Sequence, residues 1–278
     1  MVKRRPRGSW LFRLPGGRSG PGRSDRASGL ARSWNYSSEL TVPLLAVRGL
    51  AKHFGGVVAL RGVDLEVASG ELLGLIGPNG SGKTTLVNCV SGVLQPTAGA
   101  VEFDGQDITH WPRARRARAG LLRTFQNLRL FQDLTVAENL EAGRFNGRSG
   151  PAVETVLTDL RLAQHQRTRA ADLSYGYQRR VEIGRALIGK PRLLLLDEPA
   201  AGLSDVEQEQ LRDWLLEART RLDCSMLVID HDMSFMLSVC DRIVAFNEGR
   251  TIFSGPLSEA MAHPEVVEAY LGLGDANG

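Results

Sequence analysis

Cysteine is scarce in this sequence: Cys89, Cys224 and Cys240 are its three, widely separated and without metal-ligand spacing. An odd, scattered set excludes a disulfide framework and a zinc centre, and it suits a reducing cytoplasm. Long hydrophobic runs are missing as well. The apolar stretches, such as Leu193 to Leu196, are strand-sized, far short of the ~20 residues that cross a bilayer as a helix. If the chain serves a membrane process, another chain supplies the membrane part. Aromatic residues make up only 6% of the total, and none interleaves the basic run Arg113, Arg115, Arg116 and Arg118. Without that stacking platform the run reads as a solvated helix face, and no nucleic-acid partner is expected.

Acids are nearly absent from the N-terminal segment. Residues 1–42 carry nine Lys and Arg against only Asp25 and Glu39, a net charge of +7 in a chain whose total is +3. Rich in Gly, Ser and Pro, this segment cannot bury enough surface to fold alone and is expected to be a disordered basic extension. A transit peptide or a lipid-touching or nucleic-acid-touching tail are its alternatives. The lack of a clean amphipathic helix and of a cleavage signal favours an extension without function. Residues 43–278 then form one domain, in a chain that is 42% hydrophobic.

Against these absences stands one dense stretch. The apolar run Leu72 to Ile76 breaks into Gly77-Pro78-Asn79-Gly80-Ser81-Gly82-Lys83-Thr84-Thr85, and apolar residues of helical character follow. Glycines at a strand-to-helix turn let backbone N–H groups curl around phosphate oxygens at the positive end of a helix dipole. This is a P-loop, in which Lys83 reaches the β- and γ-phosphates and the Thr84 hydroxyl is placed to hold Mg2+. A second informative stretch is Leu193 to Pro199, four apolar residues ending in Asp197 and Glu198. It reads as a buried parallel strand whose carboxyl end opens at a ligand crevice. There Asp197 would hold Mg2+ and Glu198 would orient and deprotonate an attacking water.

The remaining pattern is α/β. Leu44 to Val47 and Val63 to Val67 alternate as strands of an antiparallel layer, Ala100 to Phe103 reads as a further strand, and 128–190 reads as a mostly helical region with helices at Leu134 to Leu140, Val153 to Leu162 and Arg179 to Ile188. A helix from Val206 to Arg219 and a strand from Met226 to Ile229 lead to Asp230-His231-Asp232. His231 suits either a phosphate-facing role or that of a satisfied capping residue. Phe54, in the entry stretch Lys52-His53-Phe54-Gly55-Gly56, suits either stacking on an adenine or ordinary core packing.

Taken in order, GPNGSGKTT, RTFQN, LSYGYQRR, LLLLDEPAAGLS and IDHDM resemble the motif set of ABC-transporter ATPase subunits over residues 44–272. The FGGVVAL, RTFQN and EPAAGL segments and the Ala269-Tyr270-Leu271-Gly272 ending are similar to the ATPase subunits of branched-chain (hydrophobic) amino-acid importers. The resemblance implies a P-loop NTPase of the ABC type: a mixed parallel core sheet, an antiparallel β layer and a helical subdomain at about 128–190. It implies adenine stacking for Phe54. Gln126 would contact Mg2+ and the attacking water and sense the transmembrane partner. Ser174 and Gly176 would close over the γ-phosphate held by another subunit's P-loop. Glu198 becomes the catalytic base and His231 a γ-phosphate contact.

Two departures stand out: Tyr175 and Tyr177 replace the glycine and glutamine common in the signature, and Ser204 stands where aspartate is usual in the D-loop. ATP and Mg2+ are the implied ligands. The implied partners are permease subunits, a second ATPase subunit in a homo- or heterodimer and, indirectly, a solute-binding protein, all at the cytoplasmic face of the cell membrane. Subunits that drive lipid or lipopolysaccharide export carry similar motifs. Soluble ABC proteins of ribosomes or DNA usually add a second cassette, zinc fingers or a long coiled coil, which this chain lacks.

Overall fold

The computed structural model describes residues 42–124, 128–144 and 150–271. Except for Val42, the basic segment 1–42 lies outside them. In chain order the strands are β1 Leu45–Phe54, β2 Val57–Val67, β3 Leu72–Ile76, β4 Ala98–Phe103, β5 Gln106–Asp107, β6 Leu121–Arg123, β7 Leu193–Asp197, β8 Ser225–Ile229, β9 Arg242–Asn247 and β10 Arg250–Gly255. The helices are α1 Lys83–Val90, α2 Arg113–Ala119, α3 Val136–Glu141, α4 Val153–Asp159, α5 Tyr175–Ile188, α6 Asp205–Leu222, α7 Met233–Val239, α8 Leu257–Ala260 and α9 Pro264–Leu271.

Two sheets result. An antiparallel sheet has the order β2-β1-β4-β5, and a six-stranded sheet has the order β10-β9-β3-β8-β7-β6. In the second, β9, β3, β8, β7 and β6 run parallel and β10 pairs antiparallel at one edge. The continuous apolar runs of β3 and β7 follow from burial on both faces. Leu72, Ile76, Leu194 and Leu196 pack into one cluster with the helices. Leu73, Leu75, Leu193 and Leu195 pack into another with the antiparallel layer and with Leu86, Val87, Cys89 and Val90 of α1. The P-loop helix is thereby clamped between the two sheets.

Helix starts follow local capping more closely than apolar periodicity. Helix α5 begins at Tyr175, four residues before the apolar pattern suggests, because Ser174 takes the extended N-cap conformation and the first turn is glycine and polar residues. Helix α3 starts at Val136 behind a Thr135–Glu138 capping box.

The basic run is not simply a solvated face. Arg113, Arg115 and Arg118 are exposed, but Arg116 is 1% exposed. Its guanidinium donates to the carbonyls of Cys89 (2.7 Å), Val90 (2.6 Å), Thr109 (2.8 Å) and Trp111 (3.1 Å). Cys89 and Val90 end α1, so Arg116 satisfies the Val90 carbonyl, shares that of Cys89 with the Gly92 N–H (3.1 Å), and sits at the negative end of the helix dipole. Gly92, at φ +74, leaves the room: a Cβ there would lie 2.9 Å from Arg116 Nε. Truncation to Arg116→Ala leaves several buried carbonyls unpaired, and is expected to cost roughly 2–4 kcal/mol. The check is thermal denaturation, with a fall in Tm of about 5–10 °C.

Candidate functional site

The site forms where parallel strands β3, β7 and β8 end on the same side of the sheet, the place where open α/β sheets bind ligands. After β3 the chain must turn sharply beneath its neighbours. A Cβ at Gly77 would collide with the Phe246 carbonyl, and one at Gly82, where φ is +103, would lie 2.7 Å from the Ala59 carbonyl. Only glycine fits at both positions. Helix α1 then starts with no side-chain cap from Gly82 and no acid in its first turn. Its N-terminal N–H groups suit an anion. Lys83 is nearly buried, and its Nζ donates back to the carbonyls of Gly77 (2.6 Å) and Pro78 (2.9 Å). Burial pushes its pKa below the ordinary lysine value, while the nearby carboxylates of Glu198 and Asp197 raise it again.

At the end of β7, Asp197 is paired with Arg123 Nη2 at 2.8 Å. Glu198 follows at φ +50, a left-handed conformation unusual for a residue with a Cβ. Its N–H donates to the Ile229 carbonyl at the end of β8 (2.7 Å), which holds that strained turn in place. Glu198 Oε1 lies 3.0 Å from His231 Nε2. Asp230 pins the two loops to each other. One carboxylate oxygen accepts from the N–H groups of His231 (2.8 Å) and Asp232 (3.1 Å), and the other from that of Ala200 (2.9 Å). Burial raises the Asp230 pKa, and these three backbone donors oppose the rise.

Asn79, Gly80, Gly82, Lys83, Thr84, Thr85, Asp197, Glu198 and His231 line one open cleft of about 160 Å³. Gly77, Pro78 and Ser81 do not line it. The first two offer the carbonyls that hold Lys83, and the Ser81 hydroxyl is buried without a hydrogen-bond partner among the described residues. Phe54 ends β1 away from the cleft lining. It is 46% exposed, which removes the core reading, and the Lys52 ammonium lies 5.0 Å from its ring centroid. Gln126 lies outside the described residues.

Ser174 and Gly176 are also absent from this cleft, at the start of α5. A Cβ on Gly176 would run into the Glu207 carboxylate. The unusual residues around them have partners. The Tyr175 hydroxyl accepts from Arg179 Nη2 (3.0 Å), and the same nitrogen reaches the Glu198 carbonyl (3.3 Å). Tyr177 packs against His165, with ring centroids 4.3 Å apart. Ser204 is the N-cap of α6 in a capping box with Glu207, a task a serine performs as well as an aspartate.

Sequence reasoning missed Asp230 and Arg123 as structural members of the site. Both lie inside quoted motifs, IDHDM and RTFQN, but nothing in residue spacing reveals which backbone groups or carboxylates a side chain meets.

The family description "ABC transporter" matches residues 60–201. Among curated relatives, the high-affinity branched-chain amino acid transport ATP-binding protein BraF of Pseudomonas aeruginosa is 38% identical over 83% of this chain and 98% of its own length. LivG of Salmonella typhimurium, of the same description, is 39% identical over 84% and 99%. An ATP-binding cassette of an ABC transporter solved in its ADP conformation superposes with a TM-score of 0.76 at 33% identity, covering 84% of this chain and 100% of that one. A dimeric cassette in a post-hydrolysis state with ADP and Pi superposes with a TM-score of 0.69 at 25% identity, over 77% and 98%. With two sheets and a P-loop arranged as in these cassettes, and with full-length relatives at nearly two-fifths identity, the chain belongs to the ABC transporter family, among its ATPase subunits.

Proposed function

We propose that this ATPase energises an importer of branched-chain or other hydrophobic amino acids, as one of two such subunits docked beneath permease subunits at the cytoplasmic face of the cell membrane. The observation that carries the ATPase part is the convergence of the P-loop, the Asp197–Glu198 pair and His231 on one cleft. The substrate class is supported by the two relatives matched over 98% and 99% of their length, both named for branched-chain amino acid transport. Export of lipid or lipopolysaccharide and soluble work on ribosomes or DNA lack support of that kind.

Within the domain proposed for 43–278, each site residue has a role. The P-loop and Lys83 hold the phosphates, Phe54 stacks on the base, and Glu198 takes the proton of the attacking water while His231 holds the γ-phosphate. Gln126 joins them from the segment after β6. The residues present fit Mg2+. Thr84 and Asp197 offer hard oxygen donors in one cleft, and no cluster of three or more His, Cys, Asp or Glu forms a metal cage among the described residues. That sparse set suits an ion that arrives with phosphates and keeps most of its water. Held by Thr84 and Asp197, it would supply positive charge that neutralises charge developing on the phosphates. Ser174 and Gly176, away from their own chain's cleft, are free for the γ-phosphate of a partner subunit.

No helix among the described residues is long and apolar enough to cross a membrane. A groove of about 670 Å³ between α2, β6 and the helical arm at about 128–190 offers a place for a permease loop, lined by Arg113, Arg129, Phe131, Glu182 and Arg185 among others. Phe131 is 54% exposed there. In the native host, deleting this gene is expected to abolish most high-affinity uptake of labelled leucine, isoleucine and valine. Affinity purification of the chain from membranes should bring a hydrophobic permease with it. Unchanged uptake of all three amino acids overturns the substrate class, and purification without any membrane protein overturns the partner assignment.

A further inference from the structure

We propose that Arg123 is a positioning residue for the metal site. It locks the carboxylate of Asp197 to the P-loop helix, so that Thr84 and Asp197, two of the three proposed Mg2+ donors, are held as one unit. The inference rests on the Mg2+ reading above and concerns a residue that does not itself line the cleft.

Thr84 and Asp197 come from different elements, α1 and β7, so something must fix the distance between them. Arg123 ends β6, which pairs in parallel with β7 at Arg123↔Leu195. Its Nη2 donates to Asp197 Oδ2 at 2.8 Å, while its Nη1 donates to Asn88 Oδ1 at 2.6 Å and lies 3.3 Å from Ser91 Oγ. Asn88 and Ser91 are on or at the end of α1, and Asn88 is one helical turn beyond Thr84. One rigid guanidinium therefore spans both elements. Lysine, a point charge on a flexible stem, has no such fork.

Electrostatics point the same way. The side chains of Arg123 and Asp197 are 8% and 9% exposed. A charge so far from water is costly unless it is paired, and Arg123 supplies the partner at 2.8 Å. The pairing occupies only Oδ2; Oδ1 has no hydrogen-bond partner among the described residues, and Asp197 lines the cleft. Groups that orient a ligating carboxylate typically change metal affinity or activity about 10–100-fold when removed.

The experiment measures equilibrium binding of a fluorescent ATP analogue as a function of Mg2+, in a Glu198→Gln background so that turnover plays no part. Arg123→Gln is expected to raise the half-saturating Mg2+ concentration about 10–100-fold, with affinity in EDTA unchanged within about twofold. Arg123→Lys should recover only part of the loss, and Asn88→Ala should show a smaller rise in the same direction. These two variants keep the proposal testable if Arg123→Gln folds poorly. An unchanged or lowered Mg2+ requirement in Arg123→Gln or Arg123→Lys overturns the proposal, and so does an equal loss of affinity in EDTA, which would mark general damage to the P-loop. Asp197→Asn serves as the control. If it leaves the Mg2+ dependence intact, the metal assignment itself fails and this inference falls with it; if it abolishes the dependence while the Arg123 variants do not, only this inference fails.

Discussion

Glu198→Gln is expected to slow ATP hydrolysis about 10²–10⁴-fold while ATP still binds. The reaction is in-line attack of water on the γ-phosphoryl group, in which positioning and charge stabilisation do most of the catalysis. Proton removal from that water is the step that needs a base in the cleft. Glu198, the base proposed above, is held by a backbone that few residues with a Cβ adopt, φ +50, with its N–H fixed on Ile229 and its Oε1 3.0 Å from His231. Glutamine keeps the shape and can still hydrogen-bond to the histidine, yet it cannot accept the proton. Steady-state phosphate release measures the loss, and turnover within a few-fold of wild type would rule Glu198 out as the base. Stalled hydrolysis also lets the ATP-bound form accumulate. Sizing chromatography of Glu198→Gln should therefore show a dimer with ATP and a monomer without it, as the proposed role of Ser174 and Gly176 on a partner subunit's cleft requires.

Most of the fold could be read from the sequence, because its signals are local. The runs Leu72 to Ile76 and Leu193 to Leu196 are apolar on both faces, and the strands they form are buried on both faces. Gly77 and Gly82 of the P-loop are demanded by close backbone approaches at one turn. What escaped reading depends on contacts between distant segments. Arg116 was indistinguishable from its exposed neighbours, since nothing nearby in sequence says that the last carbonyls of α1, 26 and 27 residues away, need a donor. Ser204 looked like a departure from a communication motif and is also a helix cap, with its Glu207 partner visible three residues on. Tyr175 and Tyr177 looked like losses from the signature; the structure gives them Arg179 and His165 as partners instead. Chemistry concentrated in short motifs is legible, whereas the scaffold that aims it is assembled across long sequence separations.

Lys83→Ala should remove ATP binding as well as hydrolysis, with kcat/KM falling at least about 10²–10³-fold, the scale of losing one well-placed charged donor. Lys83 now donates to the carbonyls of Gly77 and Pro78, inside the curl of the loop it will share with phosphates. Its ammonium also feels Glu198 and Asp197, whose carboxylates oppose the lowering of its pKa by burial. Alanine therefore leaves two acids facing an anionic ligand with no lysine between them, so repulsion adds to the lost attraction. Lys83→Arg keeps the charge but must fit a planar guanidinium where a compact ammonium sits 2.6 and 2.9 Å from two carbonyls. It too should bind ATP poorly, which separates the need for this geometry from the need for charge alone. Thermal shift reads the result without turnover: ATP at 100 times the wild-type Kd stabilises the folded chain by about 2.7 kcal/mol, and that increment should vanish in Lys83→Ala. A variant that kept its ATP-dependent shift would show that backbone N–H groups and the α1 dipole suffice to hold the phosphates.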